Sequence, residues 1–226
     1  MLFRSCDSDP FLTNLIKTAG IAHVHIAPFQ PTGGTPYVSA EDFAGAYQMT
    51  EFLIQNGHQK IGLLMGLRNH RSSLDRLLGY KAAMEAHSIP FDVKYLVDSE
   101  NNFPGGYTAA KILMSLADPP TAIFALSDEA GAGALYALNE MKIEVPGQVS
   151  LAAFGDMAHS NEIWPGISVV KYPLEQIVEM SVRMLIELVE DRNPETRQVI
   201  FPTKMIQRGS IRSILDDDHQ TDTESR

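Results

Sequence analysis

The chain has 226 residues, long enough for one large or two small domains around a substantial core. Its formal net charge of −10 repels phosphate backbones and leaves no basic face for nucleic acid. A single cysteine, Cys6, rules out an internal disulfide and a cysteine-based zinc site, and it suits a reducing compartment.

In chain order, residues 21–26 read as a strand. Residues 41–56 have helical spacing of Phe43, Tyr47, Phe52 and Leu53 and stop at Gly57, a good helix terminator. A buried strand follows over 60–65, a helix over 74–87 ahead of Pro90, and a strand over 94–97. Residues 105–116 predict a helix closed by Pro119 and Pro120, 122–126 a strand, 128–141 a helix and 149–154 a strand. Strand and helix alternate throughout, which predicts an α/β fold of parallel sheet covered by helices on both faces. Ligands of such sheets bind outside the carboxyl ends of the strands, so the loops after Met65, Val97, Leu126 and Phe154 are the ones to inspect. The rhythm then changes to a strand over 167–171, a long helix over 173–189 and a strand over 198–201, with 204–211 completing the fold. From Ser213 onward Asp216, Asp217, Asp218, Asp222 and Glu224 face only Arg226, and an acidic disordered tail is expected over 213–226.

Two motifs suggest chemistry that the residues do not support. Gly131-Ala132-Gly133 resembles half of a dinucleotide fingerprint, but Tyr136 stands at the third glycine and the run lies inside a predicted helix, so close helix packing is favoured over a cofactor. His23 and His25 lie on one side of a strand; without a third ligand a packed pair is favoured over a metal site. No phosphate-binding lysine loop or nucleophile elbow occurs, and no cofactor, metal or enzymatic activity is expected. His70, Ser72 and Arg76 lie in a predicted mouth loop and the helix it enters, where Ser72 or Ser73 can cap the helix. The guanidinium of Arg76 can grip a carboxylate or paired hydroxyls with two bonds, or make a surface salt bridge. Trp164, the only tryptophan, suits stacking on a sugar face, or serves as a core or interface aromatic.

Several segments together resemble the LacI/GalR family of transcription regulators: Glu51 to Gly62 with its Gly57-His58 turn, Arg76-Leu77-Leu78-Gly79-Tyr80, Pro120 to Asp128, Val145 to Phe154, Lys171-Tyr172-Pro173, and Pro202-Thr203 with Arg208-Gly209-Ser210. The resemblance covers roughly residues 1–211. It implies a periplasmic-binding-protein-like fold of two parallel-sheet lobes joined by three crossovers, with a small-molecule effector between them. By that analogy residues 1–38 and 168–197 form the amino-side lobe, and 39–167 with 198–212 the carboxyl-side lobe. The family works as dimers that read operator DNA through an amino-terminal helix-turn-helix head, and such a head is not found among these residues. The segment around Leu2 to Ser5 is similar to the family's third strand, so the amino-side lobe is expected to be incomplete, with an exposed sheet edge and apolar surface.

The resemblance places Arg76 on the family's effector-gripping arginine, with His70 and Ser72 at positions that often contact effector. Phe103 and Trp164 stand in for a stacking aromatic whose place Asn101 occupies. Gly155 replaces a carboxylate that commonly binds sugar hydroxyls, Asp156 is expected to compensate, and Ser127 replaces an asparagine before Asp128, itself read as a helix cap. A sugar or related small metabolite is the expected effector, and loss of one acidic partner while Arg76 stays points to a carboxylated sugar or another anionic metabolite. No secretory signal or membrane-length apolar stretch is present, so a cytoplasmic location without membrane contact is expected. A solute-binding protein of a sugar transporter, sharing the fold, is the alternative.

Overall fold

The computed structural model describes residues 2–3, 10–28, 34–68, 70–156, 163–190, 192, 194 and 196–215. Two sheets organise the molecule. The amino-side sheet has the order β1-β2-β3-β9, with β1 over Leu2–Phe3, β2 over Val24–Ile26, β3 over Tyr37–Ala40 and β9 over Gln198–Phe201. All its pairings are parallel. Helix α1 spans Pro10–Thr18 between β1 and β2. Neither α1 nor β3 has a counterpart in the sequence expectations, and the strand expected over 21–26 is confined to β2.

The carboxyl-side sheet is built from β4 (Ile61–Met65), β5 (Leu96–Asp98), β6 (Ala122–Ala125), β7 (Ser150–Phe154), β8 (Ser168–Lys171) and β10 (Lys204–Ile206). Its order is β10-β8-β7-β6-β4-β5, parallel except for β10 at the edge. The strands alternate side chains to two cores. Ile61, Leu63 and Met65 face α2 (Asp42–Gln55) and α3 (Arg71–Ala86), while Leu64 faces α4 (Phe103–Met114) and α5 (Asp128–Glu140). Both faces are covered, and all of β4, β6 and β7 is buried, as their continuous apolar runs require. The strand order reverses between β4 and β6, and the crevice at such a switch point is where open α/β sheets bind ligands.

The chain crosses between sheets three times: at Glu41, at Tyr172-Pro173 and at Pro202-Thr203. Each crossover lies later than expected, and this moves two strands. Ser168–Lys171 belongs to the carboxyl-side sheet because β8 continues the parallel ladder beside β7. Gln198–Phe201 belongs to the amino-side sheet because β9 pairs with β3 from Tyr37 to Ala40. Between them, α6 (Leu174–Val189) lays Ile177 and Met184 on Val24 and Val38. Tyr172 packs against both this core and the α2/α3 core.

The tail expected to be disordered from Ser213 docks for its first residues. The Ile214 N–H donates to the Asn56 carbonyl at 2.9 Å, and Ile214 and Leu215 close over Gly57. Residues 216–226 and Cys6 lie outside the described residues.

Candidate functional site

Where β3 hands the chain across to α2, a cavity of about 440 Å³ opens between the two sheets. Its amino-side wall is Ala27, Pro28, Tyr37, Ser39 and Ile200; its carboxyl-side wall is Glu41, Asp42, Phe43, Arg71, Ser72 and Asp75. The volume falls within the range of small-molecule sites. The first turn of α3 places Arg71 and Ser72 there, after an extended His70 that makes no side-chain cap. The helix begins at Arg71, earlier than its apolar spacing suggests, so its first turn, without a side-chain cap from His70, borders this cavity. Arg71 Nε donates to both oxygens of Asp75 at 2.8 and 2.7 Å, and this bond raises the Arg71 pKa.

Behind the wall stands a buried ion pair. Arg76 Nε and Nη2 each approach Asp42 Oδ1 at 2.7 Å, and Nη1 donates to the Leu126 carbonyl at 2.6 Å. The guanidinium lies 3.7 Å from the Phe154 ring centroid, and Phe154 stacks on Tyr172 at 6.5 Å. Arg76 therefore gathers the ends of β6 and β7 and the start of α2 at the switch-point crevice. Asp42 presents this assembly to the cavity, and among the described residues its Oδ2 takes no hydrogen bond.

The geometry agrees with what the chain resembles. The family model described as a periplasmic binding protein-like domain matches residues 50–211, most of the chain. The chain belongs to this family. This periplasmic binding protein-like domain is 30% identical over 177 residues to Probable HTH-type transcriptional repressor ExuR of Bacillus subtilis (strain 168), covering 78% of the chain and 53% of that repressor. It is 28% identical over 169 residues to HTH-type transcriptional repressor PurR of Escherichia coli O1:K1 / APEC, covering 75% of the chain and 50% of PurR. The chain thus spans about half the length of the curated relatives it matches. Among solved structures it superposes on the transcriptional regulator CelR in its cellobiose complex with a TM-score of 0.87 at 26% identity, over 92% of this chain and 64% of CelR. A regulatory protein of the LacI family from Chloroflexus aggregans gives a TM-score of 0.84 at 25% identity, over 93% of this chain and 75% of the other. The resemblance to LacI-type regulators, carried in the sequence by short motifs, holds in both comparisons.

In this periplasmic binding protein-like domain Ser72 lies on the cavity wall and Arg76 behind it, and most of the other expected site residues lie apart from that cavity. His70 is the residue before α3. Ser127 caps α5, its Oγ accepting from Ala130 N–H at 3.1 Å. Asp156 faces a second cavity, of about 530 Å³, beside Lys171, Tyr172 and Leu174, and pairs with Arg208 at 2.6 Å and Lys171 at 3.1 Å. Burial pushes its carboxyl up, but the bonds and charges of the two cations outweigh that and hold it below the ordinary range. Phe103 is half-exposed on the outer flank of α4, 5.7 Å from Tyr136, and lines neither cavity. Trp164 is 89% exposed and also lines neither of these two cavities.

Gly155, read as a lost carboxylate, has a backbone reason: its φ is +112°, and a Cβ there would lie 2.8 Å from the Asp128 carboxyl carbon. Gly131 and Gly133 are packing residues; a Cβ on Gly133 would meet the Phe103 carbonyl at 2.0 Å. His23 and His25 are a buried pair with ring centroids 5.4 Å apart. Among the described residues no three side chains gather to hold a metal. Sequence reading missed Tyr37, Ser39, Glu41 and Asp42, and it marked the segment from His70 to Arg76 without a role for Arg71 or Asp75. A carboxylate at the start of an amphipathic helix, as at Glu41-Asp42, was the available signal, and it is ordinarily explained by the helix dipole.

Proposed function

We propose that this chain is the effector-sensing domain of a LacI-type transcription regulator. In this reading the inter-sheet cavity takes a small hydroxylated metabolite, with sugars first among them, and the chain has no catalytic role. The observation that carries the reading is the junction cavity itself: two lobes contribute opposite walls, and the Arg76–Asp42 pair stands at the switch point behind them. A ligand touching both walls stabilises one lobe angle over others and so shifts a population between two states. The names of the relatives lean the same way: CelR is bound to cellobiose, and a Haemophilus influenzae relative, 28% identical, is the Ribose operon repressor. The relatives reported are repressors and regulators, which favours this reading over a transporter's solute-binding protein.

DNA contact and a cytoplasmic location are proposals about the whole regulator. The net charge of −10 gives these residues no role in phosphate contact. No helix among the described residues is long and apolar enough to cross a membrane. We also infer a homodimer. Beyond the face of α6 on its sheet, Leu174, Val178, Val182, Ile186 and Val189 form an exposed apolar stripe along the helix. That stripe suits burial against a second copy. Light scattering coupled to size-exclusion chromatography should return twice the chain mass, and the monomer mass would discard the dimer.

Thermal unfolding of the purified chain against a panel of monosaccharides and disaccharides tests the effector reading. A ligand at one hundred times its Kd stabilises by about 2.7 kcal/mol, which should raise Tm by about 5–10 °C for a chain of this size. Ser72→Ala and Asp42→Asn should weaken that shift. A panel without a single shift rejects the reading.

A further inference from the structure

We propose that Glu41 and Asp75 make the cleft a charge filter, which admits uncharged, hydroxyl-rich ligands and rejects sugar acids; this rests on reading the cavity as the effector site. Among the described residues the walls carry three carboxylates, on Glu41, Asp42 and Asp75; Arg71 offsets Asp75 and Arg76, just behind the wall, offsets Asp42, which leaves the charge of Glu41 in surplus. The Arg71 guanidinium is already bound by both oxygens of Asp75. The second cation, Arg76, stands behind the wall. It is bound to Asp42 and the Leu126 carbonyl, and its face is covered by Phe154. An arriving carboxylate therefore meets an excess of negative charge, and it reaches neither guanidinium without displacing a protein carboxylate. The start of α3 offers N–H groups with about half a positive charge, less than the surplus of carboxylate.

The same walls suit a neutral polyol. Ionised carboxylates only accept hydrogen bonds, and sugar hydroxyls supply the donors. Ser39 and Ser72 both donate and accept, and the Tyr37 hydroxyl, whose proton goes to Gln198 Oε1 at 3.3 Å, accepts. Phe43 and Ile200 offer apolar surface to the C–H face of a ring. This reverses the expectation of an anionic effector, which followed from counting Arg76 as a free cation.

Isothermal titration at pH 7.5 with matched pairs tests the filter: D-glucose and D-glucuronate, D-galactose and D-galacturonate, D-ribose and D-ribonate. In the pair that binds, the neutral member should bind at least tenfold tighter. Raising salt from 50 to 500 mM should narrow that ratio by screening repulsion of the acid. The double variant Glu41→Gln/Asp75→Asn should narrow it as well, and the salt series gives the same information without any variant. Tighter binding of the acid overturns the filter and leaves the effector site standing. A ratio that neither salt nor the double variant moves also overturns the filter. Binding by no member of any pair removes the effector reading and the filter together.

Discussion

Arg76 and Asp42 are held out of water, with side-chain exposures of 12% and 7%. Removing one partner of such a pair leaves a buried charge without compensation, which typically costs about 3–5 kcal/mol. Arg76→Met and Asp42→Leu should each lower the urea midpoint accordingly. The double variant should recover much of the loss, because two apolar side chains need no counter-charge; equal, additive losses would show that the ions are not coupled. Gly155 supports a second test. Gly155→Asp restores the carboxylate that the family resemblance leads one to expect. Here it should destabilise by about 1–3 kcal/mol, since φ is +112° and the new Cβ would crowd Asp128. An unchanged midpoint would refute the steric account. At this scale the sequence marked Arg76 as special but not what it touches. Asp42 is 34 residues away, and nothing local distinguishes it from any acidic helix start. The vacancy at Gly155 was legible as a substitution, whereas its cause lies in the dihedral angle and a neighbouring helix.

Elements were legible wherever periodicity was strong. The apolar runs of β4, β6 and β7 and the helices α2 and α5 lie close to where their spacing put them. The missed strand β3 is only Tyr-Val-Ser-Ala, a segment too short to show alternation, and it gains its structure from β2 and β9 on either side. The glycines of α4 and α5 behave as the packing interpretation requires. A Cβ on Gly106 would lie 1.9 Å from the Ala130 carbonyl, so the two helices approach backbone to backbone. Gly106→Ala or Gly133→Ala should force the pair apart, at a cost of about 1–3 kcal/mol or more. Urea unfolding would measure the cost. A loss under about 0.5 kcal/mol, the usual scale of a surface change, would mean that the helices separate freely.

At the scale of the molecule, two lobes and three crossovers were foreseeable from family resemblance, but the residues at which the chain changes sheets were not. A strand ends where its ladder partner ends, and that partner can be far away in sequence, as Phe201 is from Ala40. Long-range closure also sets the pH response. His58 is buried, with Nδ1 3.0 Å from Thr121 Oγ1 and Nε2 3.1 Å from the Arg212 carbonyl, so it ties the returning carboxyl segment to the carboxyl-side sheet. Burial lowers its pKa, and the Arg212 charge adds to this against the carbonyl bond. His25 in the amino-side sheet is lowered too, by burial first and then by His23 and Lys17. Well above pH 6.5 both imidazoles are neutral, folded or unfolded, and contribute no pH dependence. Below about 6.5 the unfolded chain takes up protons that the folded chain resists, so stability falls as pH drops toward the depressed folded values. The carboxylates held low by cations, Asp156 among them, respond only in more acidic solution, below about pH 4. The urea midpoint should therefore decline from pH 7.5 through 6.0 to 5.0, and His58→Gln should remove part of that decline. A midpoint constant over this window would mean that neither histidine is held neutral by the fold, and His58 would then be no pH-sensitive tie between the carboxyl segment and its sheet.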